Sequence, residues 1–480
     1  MTNKPFELSE ATIASIQSSM EAGKLTAKKL TMLYLEQIAT YNHNGPNINA
    51  VLEINPDALH IAEALDVERK QRGPRGPLHG IPVLLKDNIE TGDKMHTTAG
   101  SLTLKDHYAK EDAHISKKLR EAGAIILGKA NLTEWANFMT VGMPNGYSSH
   151  GGQVLNPYGP GKFDVGGSSS GPGAGIAANF ATVGIGTETS GSILSPASSN
   201  SLVGIKPTVG LLSRTGIIPI ANSQDIAGPM TRTVSDAAIL LGALTGIDPE
   251  DPATAVNPEV INDYTSFLNV DGLNNSRLGI SPEYLKGLPE EEQTLINDVL
   301  MDMKKLGAKI IDSIELPTNL PNSTVLFHEF KNGLNAYLSR LDTNAPVHSL
   351  LDVIKYNQTH AKDALRYGQK LLLDSESKSG SLTEAEYIND RLNDIQTSQT
   401  EGIDLVIENN NLDALVFANN YGAGIAAKAG YPSITVPAGY TSEGKPVGIT
   451  FTGLAFSEGK LIELAYAFEQ ATNFRKPPIL

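Results

Sequence analysis

Short apolar runs alternate with helical patterns over much of the chain. Six runs have the length and composition of buried strands; they cover residues 81–85, 124–128, 181–186, 414–417, 433–437 and 447–451. In residues 8–41 the apolar spacing predicts two amphipathic helices, the second behind Thr26 as its N-cap. Strands and helices in alternation predict an α/β sheet that is covered by helices on both faces.

The stretch from about residue 250 to 400 has a different pattern. It is more polar and more helical, and one predicted helix face carries Phe327, Phe330, Leu334, Leu338 and Leu341. The sequence contains no internal repeat, and no low-complexity linker separates this stretch from the rest of the chain. The sequence therefore predicts a single domain over residues 1–480, with a helical subregion at about 250–400.

Composition and charge limit the classes of function. The 480 residues are 40% hydrophobic and 19% charged, which is typical of a folded protein with a large core. Lys and Arg total 38 against 53 Asp and Glu, so the net charge is −15, and no basic block offsets it. This charge argues against a nucleic-acid partner. The absence of cysteine excludes disulfides, thiolate nucleophiles and cysteine-ligated metal sites.

The amino-terminal residues MTNKPFELSE lack the apolar core of a signal peptide, and no run of about 18 apolar residues occurs. The sequence therefore favours a cytoplasmic protein without a membrane partner, either a monomer or a homodimer. A secreted chain whose leader had been removed would have the same appearance.

The most unusual stretch is the glycine- and serine-rich segment at residues 166–175. One interpretation is a flexible linker, but an apolar helix-then-strand pattern and a second small-residue turn follow at once. Two such turns beside buried elements indicate a backbone that approaches a ligand closely. Neither the P-loop pattern nor the dinucleotide-binding pattern fits these glycines.

Two other chemistries can be tested against motifs. Residues 167–171 fit G-x-S-x-G, the nucleophile elbow that would make Ser169 the nucleophile, but prolines and glycines precede it where a strand is required. This elbow stays open as an alternative. His328 and Glu329 begin like a zinc-binding motif, yet Asn332 stands where the second histidine belongs. The sequence therefore predicts no metal and no cofactor.

The spacing of the two small-residue turns resembles the amidase signature family. Gly-Gly-Ser-Ser-Ser-Gly at 166–171 contains Ser168, and Thr-Ser-Gly-Ser at 189–192 ends on a serine 24 residues later. Further segments fit the family in the correct order, and they lie at 80–88, 128–135, 204–208, 223–230 and 429–437. Within the family, residues 206–230 and 252–254 are most similar to peptide amidases, which remove the C-terminal amide of peptides.

The resemblance implies a large mixed twisted sheet and a Ser–cisSer–Lys triad, with Ser192 as nucleophile, Ser168 as relay and Lys86 as base. The cis bond would be Gly167–Ser168. Physical chemistry agrees with these roles, because a serine hydroxyl needs a base and no histidine lies in these motifs. Burial of Lys86 at the end of an apolar run would lower its pKa and make it a base.

Other site residues follow from the same resemblance. The oxyanion of the transition state would be bound by the turn Thr189, Ser190 and Gly191. The substrate would be bound by Ser169 and Leu194. Asn137 and Phe138 would either line the groove for the acyl group or serve only in packing. The resulting activity would be hydrolysis of a small-molecule or peptide amide with release of ammonia. The alternative is a component of a complex, like the glutamyl-tRNA amidotransferase chain that uses the same triad.

This chain departs from the common family pattern at three places. Glu188-Thr189-Ser190-Gly191-Ser192 replaces Asp-Thr-Gly-Gly-Ser, so Ser190 should restrict the backbone of the turn. Leu194 stands where many members have arginine. Pro172 and Gly173 follow the serine cluster, which predicts a helix that starts late.

Overall fold

The computed structural model describes residues 6–480 and contains an eleven-stranded mixed sheet and a two-stranded hairpin. The strands are β1 Val51–Ile54, β2 Pro82–Lys86, β3 Ile125–Ala130, β4 Tyr147–Ser148, β5 Gly152–Gln153, β6 Val183–Glu188, β7 Val203–Lys206, β8 Ile226–Thr231, β9 Arg277–Gly279, β10 Lys309–Ile311, β11 Ala414–Ala418, β12 Ser433–Tyr440 and β13 Pro446–Thr452. The order in the large sheet is β1-β3-β2-β6-β8-β7-β12-β13-β11-β9-β10. Strands β3, β2 and β6 are parallel to one another, and β8 pairs antiparallel to β6.

Helices surround this sheet. They are α1 Ile13–Glu21, α2 Ala27–Tyr41, α3 Ala58–Arg72, α4 His114–Glu121, α5 Glu134–Asn137, α6 Ser170–Ala177, α7 Leu194–Ser199, α8 Val234–Leu244, α9 Glu290–Lys305, α10 Val325–Leu338, α11 Leu350–Thr359, α12 Ala361–Ala364, α13 Lys370–Glu376, α14 Ala385–Ile395, α15 Asp404–Asn410, α16 Ala423–Ala429 and α17 Glu458–Thr472. Short 3₁₀ turns lie at Leu102–Leu104, Pro252–Val256, Tyr264–Phe267 and Pro282–Leu285, and a π-helical turn lies at Gln396–Ile403.

The predicted α/β class with a large mixed sheet is confirmed. All six apolar runs form strands, each within a few residues of its predicted bounds. The two amino-terminal helices are also present, and the Thr26 hydroxyl caps α2 by accepting from Lys29 N at 3.0 Å. Long apolar runs predicted these strands well because central strands of a covered sheet are buried on both faces.

The stretch 250–400 contains only the short strands β9 and β10, which end the sheet on one side, and is otherwise mostly helical. Phe330, Leu334 and Leu338 are fully buried along α10, as the helical spacing predicts. Leu341 lies beyond the end of this helix and is only partly buried. Together with Trp135 and Phe138, these side chains form a second apolar cluster. This cluster packs the helical stretch against the rest of the molecule.

Helix α6 begins at Ser170, the last residue of the serine cluster, so the predicted late start is wrong. Pro172 lies in the first turn, where backbone N–H groups have no acceptor within the helix. The absence of an N–H on proline therefore costs no helical hydrogen bond. Gly171 is required by close packing: its N–H donates to Asn131 O at 2.9 Å, and a Cβ there would collide with the same oxygen. The helix is thereby held against β2, β3 and β6.

Within residues 6–480, none of the helices combines the length and the apolar character that crossing a bilayer requires.

Candidate active site

Three ionisable residues meet at one edge of the sheet. Lys86 is the last residue of β2 and Glu188 is the last residue of β6, its parallel neighbour. Asp225 immediately precedes β8, which runs antiparallel to β6 and therefore starts at the same edge. The carboxyl ends of parallel strands are a common location of ligand sites in α/β proteins.

Lys86 is completely buried in a polar socket. Its Nζ lies 2.8 Å from Ser168 Oγ, 2.9 Å from Thr187 Oγ1 and 3.1 Å from Thr187 O. Burial lowers the pKa of Lys86 to about 7, and the negative charges of Glu188 and Asp225 partly oppose this shift. The direction agrees with the expectation from the sequence. At neutral pH, Lys86 is therefore a neutral amine in a large fraction of the molecules and can accept a proton.

The two serine-containing turns lie side by side. The Gly167–Ser168 peptide bond is cis, as the resemblance implies, and Ser168 is completely buried. Ser169 N donates to Ser192 O at 3.1 Å, which joins the turn of Ser168 to the turn of Ser192. Ser192 is 7% exposed, and its hydroxyl makes no hydrogen bond with any residue in 6–480. The turn that carries Ser192 is thus hydrogen-bonded to the turn whose Ser168 hydroxyl contacts Lys86.

Glu188 holds the turn that carries Ser192. Its Oε1 accepts from Gly191 N at 2.7 Å, and its Oε2 accepts from Ile193 N at 2.7 Å and Leu194 N at 3.0 Å. These donors belong to the turn and to the start of α7, where a carboxylate is favoured by the unpaired N–H groups of a helix N-terminus. The Gly191 N–H, assigned to the oxyanion from the sequence, is therefore donated to Glu188 instead.

Other N–H groups of the same turn remain available. Those of Thr189, Ser190 and Ser192 donate no hydrogen bond to residues that the structure describes. Ser190 is exposed and has a negative φ, whereas Gly191 has φ +81°. Glycine is thus required at 191 and not at 190, which explains why the turn tolerates serine in place of the usual glycine.

Asp225 fixes the outer side of this turn. Its carboxylate accepts from Thr189 Oγ1 at 2.6 Å and from the N–H groups of Ile220 and Ala221, both at 2.8 Å. Burial raises the pKa of Asp225 to about 6, although these hydrogen bonds lower it. Asp225 therefore ties Thr189 to the loop before β8.

A narrow recess opens beside the lysine socket. Its lining includes Asn88, Thr187, Thr189 and Ala136. Ala136 belongs to the left-handed turn α5, in which Trp135 and Ala136 have φ of 50° and 53°. The neighbouring residue Asn137 also has a positive φ, 71°, and is exposed. The predicted substrate residue Asn137 thus lies next to a wall of the recess.

Three other predicted substrate residues are buried. The Ser169 hydroxyl donates to Thr187 O at 3.0 Å and accepts from Thr187 N at 3.2 Å. The hydroxyl is therefore engaged both as a donor and as an acceptor by the backbone of β6. Leu194 is completely buried in the first turn of α7. Phe138 is 8% exposed and packs on Phe330, with ring centroids 4.8 Å apart. In this structure these three side chains support the turns and the helical cluster.

The sequence argument did not assign roles to Thr187 and Glu188. Thr187 supplies two oxygens to Lys86 and also accepts from Asn88 Nδ2 at 3.0 Å. Glu188 lies several residues before the first residue of α7, too far along the chain for a recognisable helix-cap signal. Thr187 carries no local signal either, because its role depends on the pairing of β2 with β6.

His328 and Glu329, which begin like a zinc-binding motif, make other contacts. His328 Nε2 lies 3.2 Å from Glu386 Oε2. Glu329 accepts from Ser223 N at 2.9 Å and from the Tyr387 hydroxyl at 2.9 Å. In residues 6–480, no group of three or more histidine or acidic side chains has a geometry that could hold a metal ion.

Known proteins resemble this chain over most of its length. The family model described as Amidase matches residues 29–462. A probable amidase of Arabidopsis thaliana is 45% identical over 98% of this chain and 92% of its own length. The crystal structure of peptide amidase from Stenotrophomonas maltophilia is 44% identical, covers 99% of both chains and superposes with a TM-score of 0.91. A glutamyl-tRNA(Gln) amidotransferase chain of Pseudomonas syringae is 36% identical over 69% of this chain and 66% of its own length.

The comparisons thus extend over the whole fold and include the sheet edge where Lys86 and the two serine turns meet. The chain belongs to the amidase signature family and is a serine amidase.

Proposed function

We propose that the protein hydrolyses carboxamides through Ser192, Ser168 and Lys86, releasing ammonia. The observation that carries this proposal is the 2.8 Å hydrogen bond between Ser168 Oγ and Lys86 Nζ, on a lysine whose pKa is about 7. A neutral lysine accepts the Ser168 proton, and Ser168 can then accept the proton of Ser192. This relay supplies the base that a serine nucleophile requires.

In the first half of the reaction, Ser192 Oγ attacks the amide carbon while its proton passes through Ser168 to Lys86. The tetrahedral intermediate collapses, the C–N bond breaks, and the proton returns through the relay to the leaving nitrogen, which departs as ammonia. Water then attacks the acyl-enzyme with the same relay as base, and Ser192 regains its proton as the carboxylic acid leaves. Only the amide and one water molecule are consumed.

The developing oxyanion is bound, in this proposal, by N–H groups of the turn Thr189–Ser190–Gly191. The N–H groups of Thr189 and Ser190, with that of Ser192 itself, are the donors that have no acceptor among the described residues. Gly191 contributes through its backbone conformation, and Glu188 keeps the turn in place. Donors fixed before the reaction are effective because no reorganisation is needed as charge develops.

Glu188→Gln tests the role of this cap. The amide oxygen can accept only part of the hydrogen bonds that the carboxylate accepts from Gly191, Ile193 and Leu194, and it lacks the charge. We expect kcat to fall by about 10- to 100-fold, because a misplaced oxyanion donor costs about 10²-fold or more. Steady-state kinetics with thermal unfolding as a control will measure this. Unchanged kcat would contradict a role of Glu188 in positioning the turn.

The proposed substrates are amides with a neutral acyl group, above all the C-terminal amide of peptides. An arginine two residues beyond the nucleophile could pair with a substrate carboxylate, but this chain has the buried aliphatic Leu194 there. A carboxylate beside the scissile amide would lose hydration without gaining that partner. The 44% identity to a peptide amidase supports the same substrate class. Asn137 and Phe138 are proposed to border the acyl group from the side of α5.

A comparison of two amides tests this substrate class. We expect kcat/KM for an N-blocked amino acid amide to exceed that for malonamate by at least about tenfold, which corresponds to about 1.4 kcal/mol for one missing charge pair. Ammonia release by the purified chain is the measurement. Equal or faster turnover of malonamate would remove the peptide-amide assignment while leaving amide hydrolysis intact.

The alternative function is that of an amidotransferase component that works inside a complex, which is supported by the 36% identity to a glutamyl-tRNA(Gln) amidotransferase chain. The lower coverage of that match and the net charge of −15 favour an independent amidase. Purification from the native host distinguishes the two. A stoichiometric partner, together with no ammonia release by the isolated chain, would establish the alternative.

We also infer one amidase domain over the whole chain. Strands from both sides of the stretch 250–400 pair within one sheet, and the family match continues across this stretch. The helical stretch is then a subregion of this domain rather than a separate unit.

A further inference from the structure

The loop between β11 and α16 crosses the turn that carries the proposed nucleophile. A methyl group placed on Gly191 Cα would lie 3.1 Å from Asn420 Nδ2 and 3.5 Å from Ala423 Cβ. The carboxamide of Asn420 therefore packs directly against the residue before Ser192. Nothing in the sequence indicated this contact, because Asn420 follows Ser192 by more than two hundred residues and belongs to no recognised motif.

The backbone of this loop is firmly held. Tyr421 N donates to Ala418 O at 3.0 Å, and Asn420 O accepts from Ala423 N at 3.0 Å. Asn419 is fixed on strand β13, since its Oδ1 accepts from Gly448 N at 2.8 Å and its own N–H donates to Gly448 O at 2.8 Å. The position of Asn420 is thus determined by its neighbours, without use of its own side chain.

The Asn420 carboxamide is free to bind a ligand. The Asn420 side chain is half-buried and makes no hydrogen bond with residues 6–480. The Asn419 side chain, in contrast, donates to Glu292 Oε2 at 3.2 Å in addition to its bond with Gly448. A carboxamide carries two donors and one acceptor without charge. These groups match the C=O and N–H of a peptide group and would not compensate the charge of a carboxylate.

We propose that Asn420 is a substrate-positioning residue that hydrogen bonds the peptide group next to the scissile amide. The proposal rests on the proposed amidase function and specifies how a peptide amide would be preferred over a simple aliphatic amide. The scissile carbonyl oxygen lies at the turn Thr189–Gly191 in that function, and Asn420 touches the same turn. The nearest polar group of the acyl chain is then within reach of its carboxamide.

Two substrates that share one side chain isolate this contact. N-acetylphenylalanine amide has the neighbouring peptide group, and 3-phenylpropanamide has the same ring and scissile amide without it. For Asn420→Ala and for the similarly sized Asn420→Leu, we expect kcat/KM for N-acetylphenylalanine amide to fall by about tenfold, mainly through KM. The value for 3-phenylpropanamide should change by less than about twofold, since no hydrogen bond is lost.

Asn419→Ala is the matched control from the same loop. Because Asn419 holds the loop on β13, its loss should lower the unfolding temperature and affect both substrates equally. An equal loss for both substrates in the Asn420 variants, or no loss for either, would overturn the proposed contact while amide hydrolysis stands. Absence of ammonia from both amides with the unmodified protein would instead overturn the amidase function, and this proposal with it.

Discussion

We expect Ser192→Ala to lower kcat for amide hydrolysis by at least about 10³-fold, while the folded state is retained. The Ser192 hydroxyl makes no hydrogen bond within residues 6–480, so its removal costs the fold little. The remaining turnover comes from the oxyanion donors and the binding groove, which do not depend on this hydroxyl. Steady-state ammonia release and thermal unfolding of the variant measure the two effects separately.

Ser169→Ala is the matched control, because the elbow alternative makes Ser169 the nucleophile. We expect this variant to be less stable, since Ser169 bonds strand β6 through Thr187, but still to form an acyl-enzyme at Ser192. A serine-directed fluorophosphonate followed by peptide mass mapping identifies the modified residue. Modification of Ser169, with activity retained in Ser192→Ala, would replace the triad by the elbow.

We expect Lys86→Met to lower kcat to a similar extent, because the proposed proton relay then ends at Ser168. In the unmodified protein kcat/KM should fall as the pH drops below about 7, where Lys86 becomes protonated and no longer accepts a proton. The slope of this acidic limb should correspond to one proton. A limb centred well above pH 9 would show that Lys86 is an ordinary charged lysine.

The same substitution changes how stability depends on pH. Between about pH 7 and pH 10.5 the unfolded chain binds a proton on Lys86 that the folded chain does not, so the free energy of unfolding rises with pH. This effect is about 1.4 kcal/mol per pH unit for one group. The quantity to compare is the free energy of unfolding of Lys86→Met minus that of the unmodified protein. We expect this difference to be greatest near pH 7 and to decrease by about 3 kcal/mol toward pH 10. Denaturant midpoints over this range measure it.

Lys206→Met is the control for a buried lysine outside the relay. Lys206 is completely buried, burial lowers its pKa to about 8, and its Nζ donates to Tyr431 O at 2.6 Å. Its replacement should show a similar dependence of stability on pH but leave the acidic limb of kcat/KM in place. Loss of that limb in Lys206→Met would show that Lys206, and not Lys86, is the base.

Apolar runs predicted six of the eleven strands of the large sheet, whereas β7 and β8 were missed although both are fully buried. Strands β12 and β13 are long and mostly apolar and were found, whereas β9 and β10, at one edge of the sheet, have only three residues each and carry no such signal. The start of α6 was misjudged because the effect of Pro172 depends on its position within the first turn, which only the structure defines. Strand order was accessible only through the family resemblance, since pairing joins segments that are far apart in sequence.

The candidate site was predictable in its chemistry and less so in its supports. Lys86, Ser168 and Ser192 stood out through motif spacing, and the structure brings Lys86 and Ser168 into direct contact. The hydrogen bonds of Glu188 and the approach of Asn420 depend on how the turn at 189–192 folds and on which loop crosses it. Such contacts follow from tertiary structure and leave no local pattern.

Glu188 links two properties of the site that would otherwise vary independently. Its carboxylate both holds the turn at Gly191 and raises the pKa of Lys86 against the effect of burial. An enzyme adapted to acidic conditions needs a lower pKa at the base, which neutralisation of this carboxylate would provide. The same change would loosen the turn beside Ser192. Asp225, the other carboxylate that raises the pKa of Lys86, also holds this turn, through Thr189. Acid tolerance in this protein should therefore be sought in the apolar surroundings of β2, where a change leaves the hydrogen bonds of both carboxylates in place.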